Sequence, residues 1–201
     1  MPLLRITKNG TPLCTVGSAD VWMFSATISA DIWGPARSEL TVTGNGKRRP
    51  DGSSDFLIWE MAHELHKGDR VVFSFEEGSE SSPEGSLLDD DDGDDDDSPE
   101  DQPIDLVASE EEISNLEARS KLNLDCGWRF LAPGEREIFV APNDERQNLS
   151  LSLLWNEIRA HRMRASLSQS SLREIMSRSG GEEIFLGYLE QAACIELTVG
   201  T

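Results

Sequence analysis

His63-Glu64-Leu65-His66 places two imidazoles and a carboxylate side by side, with Glu60 a short step upstream. These are the residue types of proton transfer and of metal ligation. A zinc helix of the HExxH type needs its histidines four apart on one helical face, and here they are three apart. A metal would need further ligands from distant positions, so the segment reads as a polar turn. An enzyme is retained only as a noncontiguous site assembled from Glu60, His63, Glu64 and His66. The cysteines, Cys14, Cys126 and Cys194, are odd in number and form no CxxC pair. Cys14 and Cys194 sit in apolar strands and are expected as small core residues, which suits a reducing cytoplasm. No G-x-S-x-G elbow, Walker loop or GxGxxG occurs. Thr43-Gly44-Asn45-Gly46-Lys47 lacks Walker spacing and reads as a loop tip. No catalytic residue, cofactor or metal is expected, and the reading is of a protein that is not an enzyme.

The five tryptophans, Trp22, Trp33, Trp59, Trp128 and Trp155, stand against a single tyrosine. Core packing is the plain reading for them. Trp33 and Trp155 fall at equivalent places in two similar halves, and they are the expected platform if the protein binds a sugar or another small molecule. Lys47-Arg48-Arg49 is the one basic cluster. Three charges without interleaved aromatics are too few for a nucleic-acid groove.

Charge is segregated along the chain. Between Val71 and Ala118 there is no Lys or Arg, and 19 of the 38 acidic residues lie there. The remainder, 19 acids against 18 bases, is close to neutral, so the net charge of -20 belongs almost wholly to one internal stretch. Asp89, Asp90, Asp91, Asp92, Asp94, Asp95, Asp96 and Asp97 surround Gly93, and such a run cannot desolvate its carboxylates in a core. It lacks the alternating ligands and closing Glu of an EF-hand loop. A disordered acidic linker is therefore expected over 78–108. Its aspartates are expected to meet a protein partner with a basic surface and to repel nucleic acid.

Within this acidic field lies Pro103-Ile104-Asp105-Leu106-Val107. It reads as an edge strand that leads the linker into the second half. It also resembles SUMO-interacting motifs, and that resemblance implies docking by strand addition, with Ile104, Leu106 and Val107 filling pockets and the flanking acids steering toward a basic groove.

The elements around these residues are mostly strands. Leu3–Ile6 and Leu13–Val16 flank the turn Lys8-Asn9-Gly10-Thr11. Trp128–Leu131 and Glu137–Val140 flank Ala132-Pro133-Gly134-Glu135 in the same way, and the two hairpins superimpose without a gap at an offset of 124 residues. The same offset sets Val71–Phe75 over Ile195–Val199, which suggests an internal duplication. Serine and threonine alternate with aliphatic residues at period two, the pattern of half-buried strands. Phe56, Trp59, His63 and His66 fit either a strand or one helical face. Ser170–Arg178 has a helix cap and a Gly180-Gly181 stop, and Ser109 with Glu112 forms a second capping box.

The fold expected is mainly β: two similar antiparallel units, 1–77 and 109–201, joined by the acidic linker 78–108, with one or two short helices in the second half, one of them near 171–178. A β-sandwich suits this content. No apolar run reaches the roughly 18 residues of a membrane span, and Met1–Thr7 lacks a signal-peptide pattern, so no membrane role and a cytoplasmic location are expected. The function expected is that of a non-catalytic interaction module, immunity-like or chaperone-like, that binds a basic protein. The alternatives are a tryptophan-based carbohydrate or small-molecule module and the noncontiguous enzyme site.

Overall fold

The structure, a computed structural model, describes residues 1–30, 38–78, 80–87, 111, 113–115, 127–143, 145–177 and 179–200. The first half forms β1 (Pro2–Lys8), β2 (Thr11–Gly17), β3 (Val21–Ala30), β4 (Ser38–Gly46), β5 (Phe56–Leu65), β6 (Arg70–Glu77) and β7 (Ser86–Leu87). The second forms β8 (Trp128–Leu131), β9 (Ile138–Val140), β10 (Asn148–Asn156), β11 (Arg162–Ser170), β12 (Glu182–Glu190) and β13 (Ala193–Val199). Alternation makes them strands. In β3, Phe24, Ala26, Ile28 and Ala30 are buried while Ser25, Thr27 and Ser29 face outward. In β10 the buried set is Leu149, Leu151, Leu153 and Trp155. Outward hydroxyls fall into register across strands, so that Thr41, Thr27, Ser152 and Ser166 form one row. In the first hairpin Asn9 and Gly10 both take positive φ, 54° and 79°, as a tight two-residue turn between right-twisted strands requires.

Two antiparallel sheets result. One has the order β2-β1-β6-β13-β8-β9 and the other β12-β11-β10-β3-β4-β5-β7. Read outward from its centre, the first sheet runs β6-β1-β2 in one direction and β13-β8-β9 in the other. The second runs β3-β4-β5 and β10-β11-β12. The strands of the two halves therefore occupy matching places in matching order.

The units expected at 1–77 and 109–201 share one core, a point their sequence leaves open. Each gives strands to both sheets, and one cluster of buried side chains takes in Leu4, Ile6 and Phe73 from the first half with Trp128, Phe130 and Leu197 from the second. Sharing a core lets more apolar area leave water than two small sandwiches could manage. Trp128 is fully buried and its indole N–H donates to Ser38 Oγ at 2.8 Å across the halves. That bond satisfies a donor that would otherwise be costly to bury.

The segment 56–66 is resolved in favour of strand, as β5. The helix near 171–178 is α1 (Leu172–Met176), with Ser171 and Glu174 capping each other's backbone amides. Residues 111 and 113–115 are also helical, and buried Ile113 packs with Leu172. Ser109 and Glu112 lie outside the described residues. Among the described residues, no helix is long and apolar enough to cross a membrane.

Residues 80–87, expected at the start of a disordered linker, instead run as a strap across the edges of both sheets. Ser82 exchanges backbone bonds with Thr15 of β2, at 2.9 and 3.0 Å. Beyond it, β7 pairs with Leu57 and Ile58 of β5. Composition hid this because backbone groups and one aliphatic residue, Leu87, make the strap's pairings.

Candidate functional site

The edge of β5 assembles most of the titratable residues that sequence singles out. A bulge in β5 leaves Met61 and Ala62 outside the regular pairing, with Glu60 opposite Val42 and His63 opposite Leu40. Ala62 takes a φ of 52° to make the bulge. Strict alternation would put Glu60 and His63 on opposite faces. The bulge puts them on one face, and His63 Nδ1 lies 3.1 Å from Glu60 Oε2. The turn between β1 and β2 and the turn between β5 and β6 meet there as well. Lys8 Nζ reaches His63 Nε2 at 3.3 Å, donates to the carbonyl of Glu64 at 3.1 Å, and pairs with Asp69 Oδ2 at 3.1 Å.

Asp69 is the anchor of this group. It accepts from the Asn9 side chain at 2.7 Å and from the His66 amide at 2.9 Å. Partial burial pushes its carboxyl up. The His66 amide, the Asn9 side chain and Lys8 outweigh that and hold it down at about 2. His63 lies between Lys8 Nζ at one ring nitrogen and the Glu60 carboxylate at the other. Both ring nitrogens are then engaged. The His66 ring is mostly in solvent and touches Glu64 at 3.3 Å. Nearby, burial pushes the Cys14 thiol up to about 12, with the Glu60 carboxylate adding to the effect. A thiol so held is protonated and unreactive at neutral pH.

Glu60, His63, Glu64 and His66 are thus brought close as two pairs, Glu60 with His63 and Glu64 with His66. Their bonds, with those of Lys8 and Asp69, tie two turns and a strand edge together. Among the described residues, no group of three or more His, Cys, Asp or Glu side chains is placed to hold a metal ion. Sequence reasoning missed Lys8 and Asp69. Each stands beside a recognised turn, but nothing in their spacing says that the two turns meet.

Trp155, read as half of a ligand platform, is 2% exposed. Its ring stacks on Phe24 with centroids 5.0 Å apart, and its N–H donates to the carbonyl of Ala160. It is a core residue. The signal was present in sequence, since Leu149, Leu151, Leu153 and Trp155 share one parity. Trp33 lies outside the described residues. So do Asp89 to Asp92, Asp94 to Asp97, Ile104, Leu106, Val107 and Cys126. The basic cluster is engaged within the fold: Arg48 lies 4.1 Å over the Trp22 ring, and Arg49 forks onto both oxygens of Asp55 at 2.7 Å.

The opposite side of the sandwich ends in β12. There, among the described residues, β12 forms the end of its sheet and pairs with β11 alone. Leu186 and Tyr188 on it are 47% and 44% exposed. Between β12 and the β8–β9 turn lies a groove of about 260 Å³, lined in part by Ala132, Pro133, Phe185 and Ala193. Phe185 forms part of it by tilting against Phe130, with centroids 5.0 Å apart. Compared with protein-family models, curated proteins and solved structures, the chain gives no significant match to any of them.

Proposed function

We propose that the protein is a non-catalytic interaction module that binds a protein partner with a basic surface. The observation that carries this reading is the segregation of charge: half of all the acids lie on a stretch without Lys or Arg, while the rest of the chain is near neutral. Such a field raises the rate of encounter with a basic partner and makes binding sensitive to salt. The geometry of the β5 edge supports the non-catalytic part, because its carboxylates, lysine and histidine are committed to one another. The role is immunity-like or chaperone-like, with the acidic stretch 88–108 as linker and docking tract. Free cysteines at Cys14 and Cys194 support a cytoplasmic setting. Matching strand order in the two halves supports their origin by internal duplication.

The test is capture of partners from host extract at low and high salt by wild type and by a variant with Asp89–Asp92 and Asp94–Asp97 changed to Asn. Basic proteins held by the wild type, released by salt and lost with the variant are the expected result. Capture that is indifferent to the eight aspartates would overturn the reading.

A further inference from the structure

The two sides of the sandwich are finished differently. At the β5 side, Lys8, Glu60, His63 and Asp69 fill the mouth between the sheets. Further along the same side the 80–87 strap crosses from one sheet to the other, bonded to β2 through Ser82 and to β5 through β7. The carbonyl of Pro83 accepts from the Trp59 indole at 3.1 Å on the way. Strand order puts β9 where β2 stands and β12 where β5 stands. Among the described residues no strap crosses there. The short β9 (three residues) offers little edge, but β12 runs for nine. Where the first mouth has a polar plug, the second has the groove beside Phe185, its remaining charges being Glu135 and Glu190.

A long edge strand with exposed apolar side chains is a template for another strand. The sequence of β12 says which kind. Ile184-Phe185-Leu186-Gly187-Tyr188-Leu189 is uncharged, and Glu182, Glu183 and Glu190 bracket it. A second copy of β12 is a poor occupant. Antiparallel self-pairing centred on Leu186 brings Glu182 and Glu183 of one copy up to Glu190 of the other. Arg146 pairs with Glu182 at 2.8 Å, but Glu183 still sets like charge beside Glu190, which destabilises a sheet. Lys or Arg at the ends of the incoming strand would meet carboxylates at both ends instead.

We propose that β12 receives an extended segment of a partner protein as an added antiparallel strand, apolar at alternate positions and flanked by Lys or Arg, which occupies the second mouth as β7 and its strap occupy the first. Backbone bonds to β12 hold it, alternate side chains enter the groove beside Phe185 and Ala132, and the terminal charges set its register. The inference rests on the basic-partner reading and adds the site and the form of the bound segment.

The probe is a synthetic peptide of alternating valine and threonine with two lysines at each end. Its controls carry glutamates in place of the lysines, or a central proline. Full-length protein is followed by amide hydrogen exchange and by binding titration. The lysine-flanked peptide is expected to slow exchange along 182–190, and each control to bind at least ~10-fold more weakly. Leu186→Lys should weaken the peptide by a similar factor, and Met61→Lys on β5 should not. Protection, in the free protein at high dilution, of those amides of 182–190 that do not bond to β11 would mean that this chain covers its own edge. Protection that grows with protein concentration alone would mean self-pairing. Either result overturns the proposal. Neutralising Asp89–Asp92 and Asp94–Asp97 separates the two readings. Peptide binding that survives it but fails with Leu186→Lys supports the β12 site whatever becomes of the acidic tract. Binding that is lost on neutralisation yet indifferent to Leu186→Lys overturns the β12 site and leaves the basic-partner reading standing.

Discussion

Replacing Asp69 by Asn tests the node that joins the two turns. The carboxylate accepts from Asn9 on one oxygen and from the His66 amide and Lys8 on the other. An amide keeps one acceptor and presents an N–H₂ where the other stood, facing donors whichever way it turns. The carboxyl is held at about 2 against an ordinary value of 3.8. At about 1.4 kcal/mol per pH unit, that depression corresponds to about 2.5 kcal/mol of folding stability. The side chain is 14% exposed, and screening by the remaining solvent trims the figure to about 1–2 kcal/mol. The donor conflict adds about 1 kcal/mol. Asp69→Asn should therefore lose about 2–3 kcal/mol at pH 7, or very roughly 5–10 °C in Tm for a chain of this size.

The pH dependence has a definite sign. A depressed carboxyl stabilises the fold above its unfolded value near 3.8 and loses that contribution as pH falls through about 2. Urea unfolding of both proteins at a series of pH values measures the gap directly. Glu174, held at about 2 by Arg146 and the Ser171 amide, titrates alike in both and cancels in the difference. The gap should be constant from pH 7 to about 5 and narrow steadily below 4. A variant within about 0.5 kcal/mol of wild type at pH 7, or a gap that persists unchanged to pH 2, would refute the reasoning.

Three further outcomes are expected. Deleting 88–102 should leave the urea midpoint unchanged, whereas deleting 80–102 should lower it by removing the strap; equal midpoints would mean the strap contributes nothing. Trp155→Ala should cost about 3–5 kcal/mol in urea unfolding, as loss of a buried aromatic does, and a near-neutral result would contradict its place against Phe24. Alkylation followed by peptide mass mapping should label Cys194 in the native protein and reach Cys14 only on unfolding, because Cys14 is buried and its thiol is held near 12.

The hairpins were legible because their signals are local. Asn9-Gly10 and Pro133-Gly134 mark turns, and alternation on either side marks strands. Which strands then pair was not legible. Nothing in the period-two pattern of β6 or β3 says that its neighbour across the halves is β13 or β10, so the sequence leaves open whether the two units share a core. The bulge at Met61 and Ala62 defeated alternation in a different way. It joins Glu60 to His63 across a spacing of three, which a regular strand forbids. The strap escaped because its pairings are made largely by backbone atoms of Ser82, Ser86 and Leu87, and composition carries no record of those.

A sandwich built from two interleaved halves has four edges that could recruit another chain. In this molecule β2 is covered through Ser82, β5 is covered by β7, and β9 is too short to template much. Among the described edges only β12 combines length with exposed Leu186 and Tyr188, and Glu182, Glu183 and Glu190 stand at its ends. Carboxylates at the ends of an edge strand discourage pairing with copies of itself. The same carboxylates favour a strand of opposite charge, so a guard against aggregation is also a filter for partners. The acidic tract and β12 then select in one direction, both through charges that salt screens, while the backbone bonds and apolar contacts along β12 are affected far less.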